Sequence, residues 1–204
     1  REEVAASWFG LYHGIVLAML ALNLIVLLRL REPSYLLYVL YVASLALFFF
    51  FKNGLARAWV LPLGDPAYFA LTNLALALAL VLAGLFARSF LGTRRRSRRL
   101  DSLLWVFVAL AGLLALLAPF TDPRLLNRVF PALGMAAPLW AFGVGAVLWR
   151  RGFQPARFFL LAFGLTSLGG ALNGLVLSGL LPYSGPAFLA FQAASALESL
   201  LLSL

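Results

Sequence analysis

Residues 67–120 read AYFALTNLALALALVLAGLFARSFLGTRRRSRRLDSLLWVFVALAGLLALLAPF. Two apolar runs flank a cluster that places five arginines in six positions: Arg94, Arg95, Arg96, Arg98 and Arg99. A helix that crosses a bilayer needs about 20 consecutive apolar residues, because the hydrocarbon core is about 30 Å thick. The stretch therefore reads as a membrane hairpin, one span out, a charged turn, and one span back.

The rest of the chain agrees. Of 204 residues, 64% are hydrophobic and 11% are charged, and the mean hydropathy is +0.99. A soluble domain is about half apolar and about a quarter charged. So few charges cannot cover a water-facing surface, and the fold class expected is an all-α, polytopic membrane protein.

The runs long enough to span lie at 8–28, 35–51, 67–91, 103–120, 129–149, 158–181 and 187–204, which predicts a bundle of seven transmembrane helices. The separators RLREPS, KNGLARAWVLPLGDP, GTRRRSRR, TDPRLLNR, RRGFQP and PYSGP carry the charges, prolines and glycines. These are the residues that begin and end helices. Basic residues in short loops set orientation. One side collects Arg29, Arg31, Arg88, the five clustered arginines, Arg150, Arg151 and Arg157, eleven in all; the other has Arg1, Lys52, Arg57, Arg124 and Arg128, which is five. The eleven-residue side is expected to be cytoplasmic, with the N-terminus outside and the C-terminus inside.

On this reading the arginine cluster is a topology determinant that also meets anionic lipid headgroups. Contact with a cytoplasmic domain is a second reading. Nucleic acid is not expected as a partner, since the loop is short and has no interleaved aromatics for stacking.

Polar groups inside spans are costly and mark function by default. Glu198 lies about 18 Å along the last span at 1.5 Å per residue. A carboxyl at that depth is neutral, paired, or open to an aqueous cavity. Its role is either a structural hydrogen bond between helices or the coupling of a signal. Asn23, Asn73, Asn173 and Gln192 are amides in otherwise apolar helices, read as a network that glues the bundle. Trp59, Tyr68, Phe120, Phe130 and Tyr183 fall at outer span ends, where they either rim an extracellular pocket or form the interfacial aromatic belt.

Cysteine is absent and histidine occurs once, which excludes disulfides, thiolate metal sites and a His-built zinc site. The last span has no lysine, so a retinal Schiff base has no place to form. No GxSxG, HExxH, Walker loop or metal-spaced carboxylate pair is present. No enzyme activity, cofactor or metal is expected. The chain opens on Arg1 and stops inside the apolar run SALESLLLSL (195–204), which reads as a membrane domain taken from a longer protein.

Four stretches together resemble one family. YHGIVLAMLALNLIVLLRLREPSYLLYVLY (12–41) is similar to its first hairpin, with a charged R-x-x-S-Y-L turn and spaced tyrosines. KNGLARAWV (52–60) resembles the N-G segment that follows, and QPARFFLLAFGL (154–165) the arginine–aromatic start of its sixth span. SGLLPYSG (178–185) leading to ALESLLLSL (196–204) is similar to its G-L-L-P loop and span-seven glutamate. The family is that of the bacterial seven-transmembrane receptors with diverse intracellular signalling modules. The resemblance covers nearly the whole chain. It departs in the loop after FARSFLGT, which lacks an expected proline and is richer in arginine.

The resemblance implies a receptor module, residues 1–204, in a bacterial cytoplasmic (inner) membrane. An extracellular sensor domain would precede it and a cytoplasmic output domain follow it, both as partners within the full-length protein. The ligand would be a small molecule or a carbohydrate, and signalling through a homodimer stays open. Glu198 matches the family's span-seven glutamate. The rival reading is a small-molecule transporter or channel, with Asn23, Asn73, Asn173 and Glu198 lining a water-accessible path.

Overall fold

Prolines and glycines set the ends of the elements. The computed structural model describes residues 2–59, 64–117, 121, 123–177, 181–182 and 185–203. Among them every regular element is a helix: α1 (Glu2–Leu30), α2 (Pro33–Lys52), α3 (Leu55–Trp59), α4 (Asp65–Phe90), α5 (Thr93–Arg96), α6 (Arg98–Leu117), α7 (Pro123–Arg150), α8 (Ala156–Leu177) and α9 (Gly185–Ser203). Proline occupies the first turn of α2 and of α4, where its missing N–H costs nothing. Gly92 and Gly152 follow α4 and α7 with φ of 58° and 90°. This left-handed stop is open to glycine at no steric cost. Arg31 adopts it too, at φ 53°, and its N–H still reaches the Leu27 carbonyl at 2.8 Å.

Among the described residues, six helices are long and apolar enough to cross a membrane: Phe9–Arg29, Pro33–Lys52, Ala67–Phe90, Arg98–Leu117, Ala132–Arg150 and Ala156–Asn173. The last long helix, α9, has 19 residues, and its described apolar part, Leu189–Leu202, is shorter. Each of the seven expected spans thus coincides with a long helix, six of them of spanning length. The short helices α3 and α5 lie inside separators that the sequence reading left without structure.

The long helices form a ring. α1 packs on α2, α2 on α4, α4 on α7, α7 on α8, α8 on α9, and α9 returns to α1. α6 lies against α4 outside that ring and meets α7 only sparsely. Leucines cover the outside: Leu17, Leu28, Leu116, Leu161 and Leu168 are each exposed. In water so much apolar surface would drive aggregation; in a bilayer it is the lipid-facing surface.

The interior combines small residues with rings. Phe159 and Phe163 of α8 stack at 4.2 Å, and Phe86 of α4 lies 6.4 Å from each. Phe49 of α2 contacts Tyr12 of α1 and Phe191 of α9. Close backbone approach occurs where side chains vanish. A Cβ on Gly169 would stand 2.6 Å from the Ala190 carbonyl oxygen, so α8 and α9 touch there. Gly170 is one position off this contact, and a Cβ there would lie 3.7 Å from the Phe191 ring.

The arginine-rich turns gather at one end. The Ser34 and Ser89 hydroxyls lie 2.8 Å apart, joining the start of α2 to the end of α4. Arg96 lies 3.7 Å over the ring of Phe153, joining the α4–α6 turn to the α7–α8 turn. At the opposite end Arg57 pairs with Asp65 at 2.6 Å, on the exposed surface. A pair so exposed contributes little to stability.

Candidate functional site

Gln192, Ser195, Glu198 and Ser199 recur at helical spacing on α9 and so share one face. All four are buried, Glu198 to 1% exposure. On α2, Tyr38 and Tyr41 are spaced by three residues and turn inward together. These two faces meet near the middle of the ring.

The Tyr41 hydroxyl donates to the Glu198 carboxyl, 3.1 Å from Oε1 and 3.2 Å from Oε2. Thr166 Oγ1 of α8 bonds Oε2 from the other side. At the next residue of α9, the Tyr38 hydroxyl donates to the Ser199 carbonyl at 2.8 Å. In the other direction, Ser195 Oγ stands 3.3 Å from the Tyr12 hydroxyl of α1 and 2.9 Å from the Gln192 carbonyl. Further along, Asn53, just past α2, donates through Nδ2 to Gln192 Oε1 at 3.3 Å. A polar lane thus runs along α9 and is gripped by α1, α2 and α8.

The backbones of α2 and α9 are not densely packed, so long side chains carry this link. Tyrosine suits the task because its apolar ring fills the gap while its hydroxyl reaches a partner.

Hydrogen-bond counting shows what the carboxyl does. None of the ion pairs between described residues involves Glu198. An ionised carboxylate accepts only, so it would take the hydrogens of Tyr41 and Thr166. A protonated carboxyl has one hydrogen of its own. It would donate from Oε2 to Thr166 Oγ1, whose hydrogen then turns to the Ala162 carbonyl, 3.4 Å away. Both states are satisfied, and they differ in what Thr166 does.

The other expected residues are placed as follows. Gln192 joins the lane, and its Nε2 is buried without a hydrogen-bond partner among the described residues. Asn23 Nδ2 donates to the Met19 carbonyl at 2.8 Å and Asn73 Nδ2 to the Phe69 carbonyl at 3.0 Å, each within its own helix. Asn173 is buried on α8. None of these three asparagines is among the hydrogen-bond partners described for Glu198.

Tyr68 pins the α2–α4 connection. Its hydroxyl donates to the Phe51 carbonyl, and Arg57 lies 4.6 Å over its ring. Phe120 and Tyr183 lie outside the described residues, as do the side chains of Trp59 and Phe130. The five clustered arginines are exposed. Their neighbour Arg88 forms the ordered ion pair, with Nε and Nη2 at 2.7 and 3.1 Å from the Asp101 carboxylate, which also accepts from Thr93 at 2.8 Å.

Sequence reading missed Tyr12, Tyr38, Tyr41, Thr166 and Ser195 as site residues. The signal available was weak: two tyrosines three apart in the second span, and a Thr-Ser pair in the sixth.

Beside the cluster a narrow cleft is lined by residues of α2, α4, α6, α7, α8 and α9. Tyr41 and Thr166 form part of its inner wall.

Compared with known families, residues 5–204 match one described as 7TM diverse intracellular signalling. No curated protein and no solved structure matches the chain.

Proposed function

The chain belongs to the 7TM diverse intracellular signalling family and is a sensory, multi-pass transmembrane receptor domain, and from that premise we propose that its buried carboxyl cluster couples an outer signal to a cytoplasmic output. The proposal takes α9 as the seventh span, the N-terminus as outside and the C-terminus as cytoplasmic, in a bacterial inner membrane. The positive-inside count of the sequence supports this orientation. So does the gathering of the arginine-rich turns at one end.

The observation that carries the coupling role is Glu198 itself. A carboxyl at 1% exposure is tied to two other helices through single hydroxyls, on the helix that leads toward the C-terminus. A buried group with two satisfied hydrogen-bonding patterns is a bistable element, and a ligand that prefers one helix packing shifts its population. The receptor acts by rearrangement, without chemistry of its own. Its partners are its own sensor and output domains, a small-molecule or carbohydrate ligand, and anionic lipid at the arginine cluster.

The transporter alternative asks for a polar path through Asn23, Asn73, Asn173 and Glu198. Asn23 and Asn73 instead bond carbonyls of their own helices. That favours the receptor.

The test is Glu198→Gln in the receptor with its own output domain. Altered output or ligand response, with membrane insertion intact, is expected. An unaltered output and response would remove the coupling role.

A further inference from the structure

The cleft beside the cluster has a composition and a depth that select its occupant. None of its lining residues is charged, and its walls are leucine, alanine, glycine and aromatic carbon. Small residues make up much of its lining: Gly134, Ala137 and Ala141 on α7, and Ala79, Ala83 and Gly84 on α4. No atom lies within 4 Å of where a Cβ on Gly134 would stand, so this wall is unfilled by protein.

The depth follows from the helices. At about 1.5 Å per residue, Gly84 lies about 6 Å from Arg88, and Gly134 lies about 24 Å from Arg150. Arg88 and Arg150 belong to the same arginine-rich end. The cleft thus falls within a hydrocarbon core about 30 Å thick. The mouth is set by α6 and α7, which supply Leu104, Phe107 and Trp140 to the walls yet meet only sparsely. Both helices have spanning length, so the gap between them faces lipid rather than either aqueous side.

The backbone adds one polar point. Pro138 has no N–H, so the Gly134 carbonyl lacks its usual helical donor, and both residues line the cleft.

The geometry points to a lateral binding site for one acyl chain of a membrane phospholipid, entering between α6 and α7 and ending against Tyr41 and Thr166. Lipid chains are the medium at the mouth, and the narrow apolar walls suit a slender chain. Because Tyr41 and Thr166 also hold Glu198, the occupant touches the groups whose pattern the proposed coupling uses. That consequence rests on the receptor reading; the binding site does not.

The experiment uses the whole chain in vesicles of phosphatidylethanolamine and phosphatidylglycerol, doped with a phospholipid carrying a mid-chain diazirine. After photolysis, labelled peptides are mapped by mass spectrometry. The native chain should be labelled at the wall residues Leu80 and Ala83, which are buried, and at the outward Leu161 and Leu168. Gly134→Leu, which fills the cleft, should lower wall labelling at least fivefold and leave Leu161 and Leu168 unchanged. Ala137→Leu serves as the second filling variant, and unchanged labelling of Leu161 and Leu168 reports that each variant is folded. Absent wall labelling in the native chain, or wall labelling undiminished in both folded variants, would overturn the site. The readout is labelling and not signalling, so such a failure leaves the role of Glu198 untouched.

Discussion

At Glu198 the two carboxyl oxygens are not equivalent: Tyr41 sits between both, whereas Thr166 engages Oε2 alone. Changes to the three residues should therefore have different consequences. The infrared C=O stretch of the protonated Glu198 carboxyl should be abolished by Glu198→Gln and moved to higher frequency by Tyr41→Phe, because a hydrogen bond to the carbonyl is lost. A band at the same position in all three proteins would contradict the assignment. Stability should follow the count of unmade bonds. Thr166→Val removes one interhelical bond, worth about 0.6 kcal/mol in membrane proteins. Glu198→Leu leaves the buried Tyr41 hydroxyl without its acceptor, at about 1–3 kcal/mol. Denaturation in mixed detergent should rank the second as the larger loss. Glu198 was legible in the sequence because it is the one acid deep within a span. Its partners were not. Tyr41 and Thr166 are 157 and 32 residues away along the chain, and hydroxyl side chains occur in many spans.

Among elements, the α8–α9 pair has the most extensive contact, and Gly169 permits the close approach of its backbones. A larger residue there meets a backbone carbonyl, which cannot swing aside as a side-chain tip would. Overpacking of this kind costs typically about 1–3 kcal/mol. Gly169→Leu should lower thermal stability by at least that amount, while Gly134→Leu, facing open space, should not; equal losses would show that the α8–α9 contact is looser than described. At the other end of the bundle, Arg88 anchors Asp101 and thereby the turn between α4 and α6. The pair is partly buried, so removing one partner leaves a poorly hydrated charge, and Arg88→Ala should destabilise more than Arg95→Ala, whose side chain is exposed. Element positions were legible because apolar length, proline and glycine are local properties. The helices α3 and α5 were not, since runs of five and four residues bury no stripe and carry no periodic signal. The glycines of α8 are visible in the sequence, but nothing local to them fixes which one faces α9.

For the whole molecule, the ring closure between α1 and α9 is what brings the first and last spans to the same centre. Orientation is the most accessible test of the membrane placement, and the absence of cysteine makes single-cysteine labelling clean. Arg95→Cys should react only with reagent on the cytoplasmic side and Ala58→Cys only from outside; the reverse pattern would invert the topology. The central claim is that the Glu198 cluster holds α9 in register with α2. The measurement that tests it most directly is the distance between spin labels at Leu36 and Leu197, both on exposed positions, by pulsed electron resonance in proteoliposomes. With helix content unchanged, Glu198→Gln should shift or split the native distance distribution. Superimposable distributions would mean that the carboxyl does not set the packing of α9, and the coupling account would be wrong.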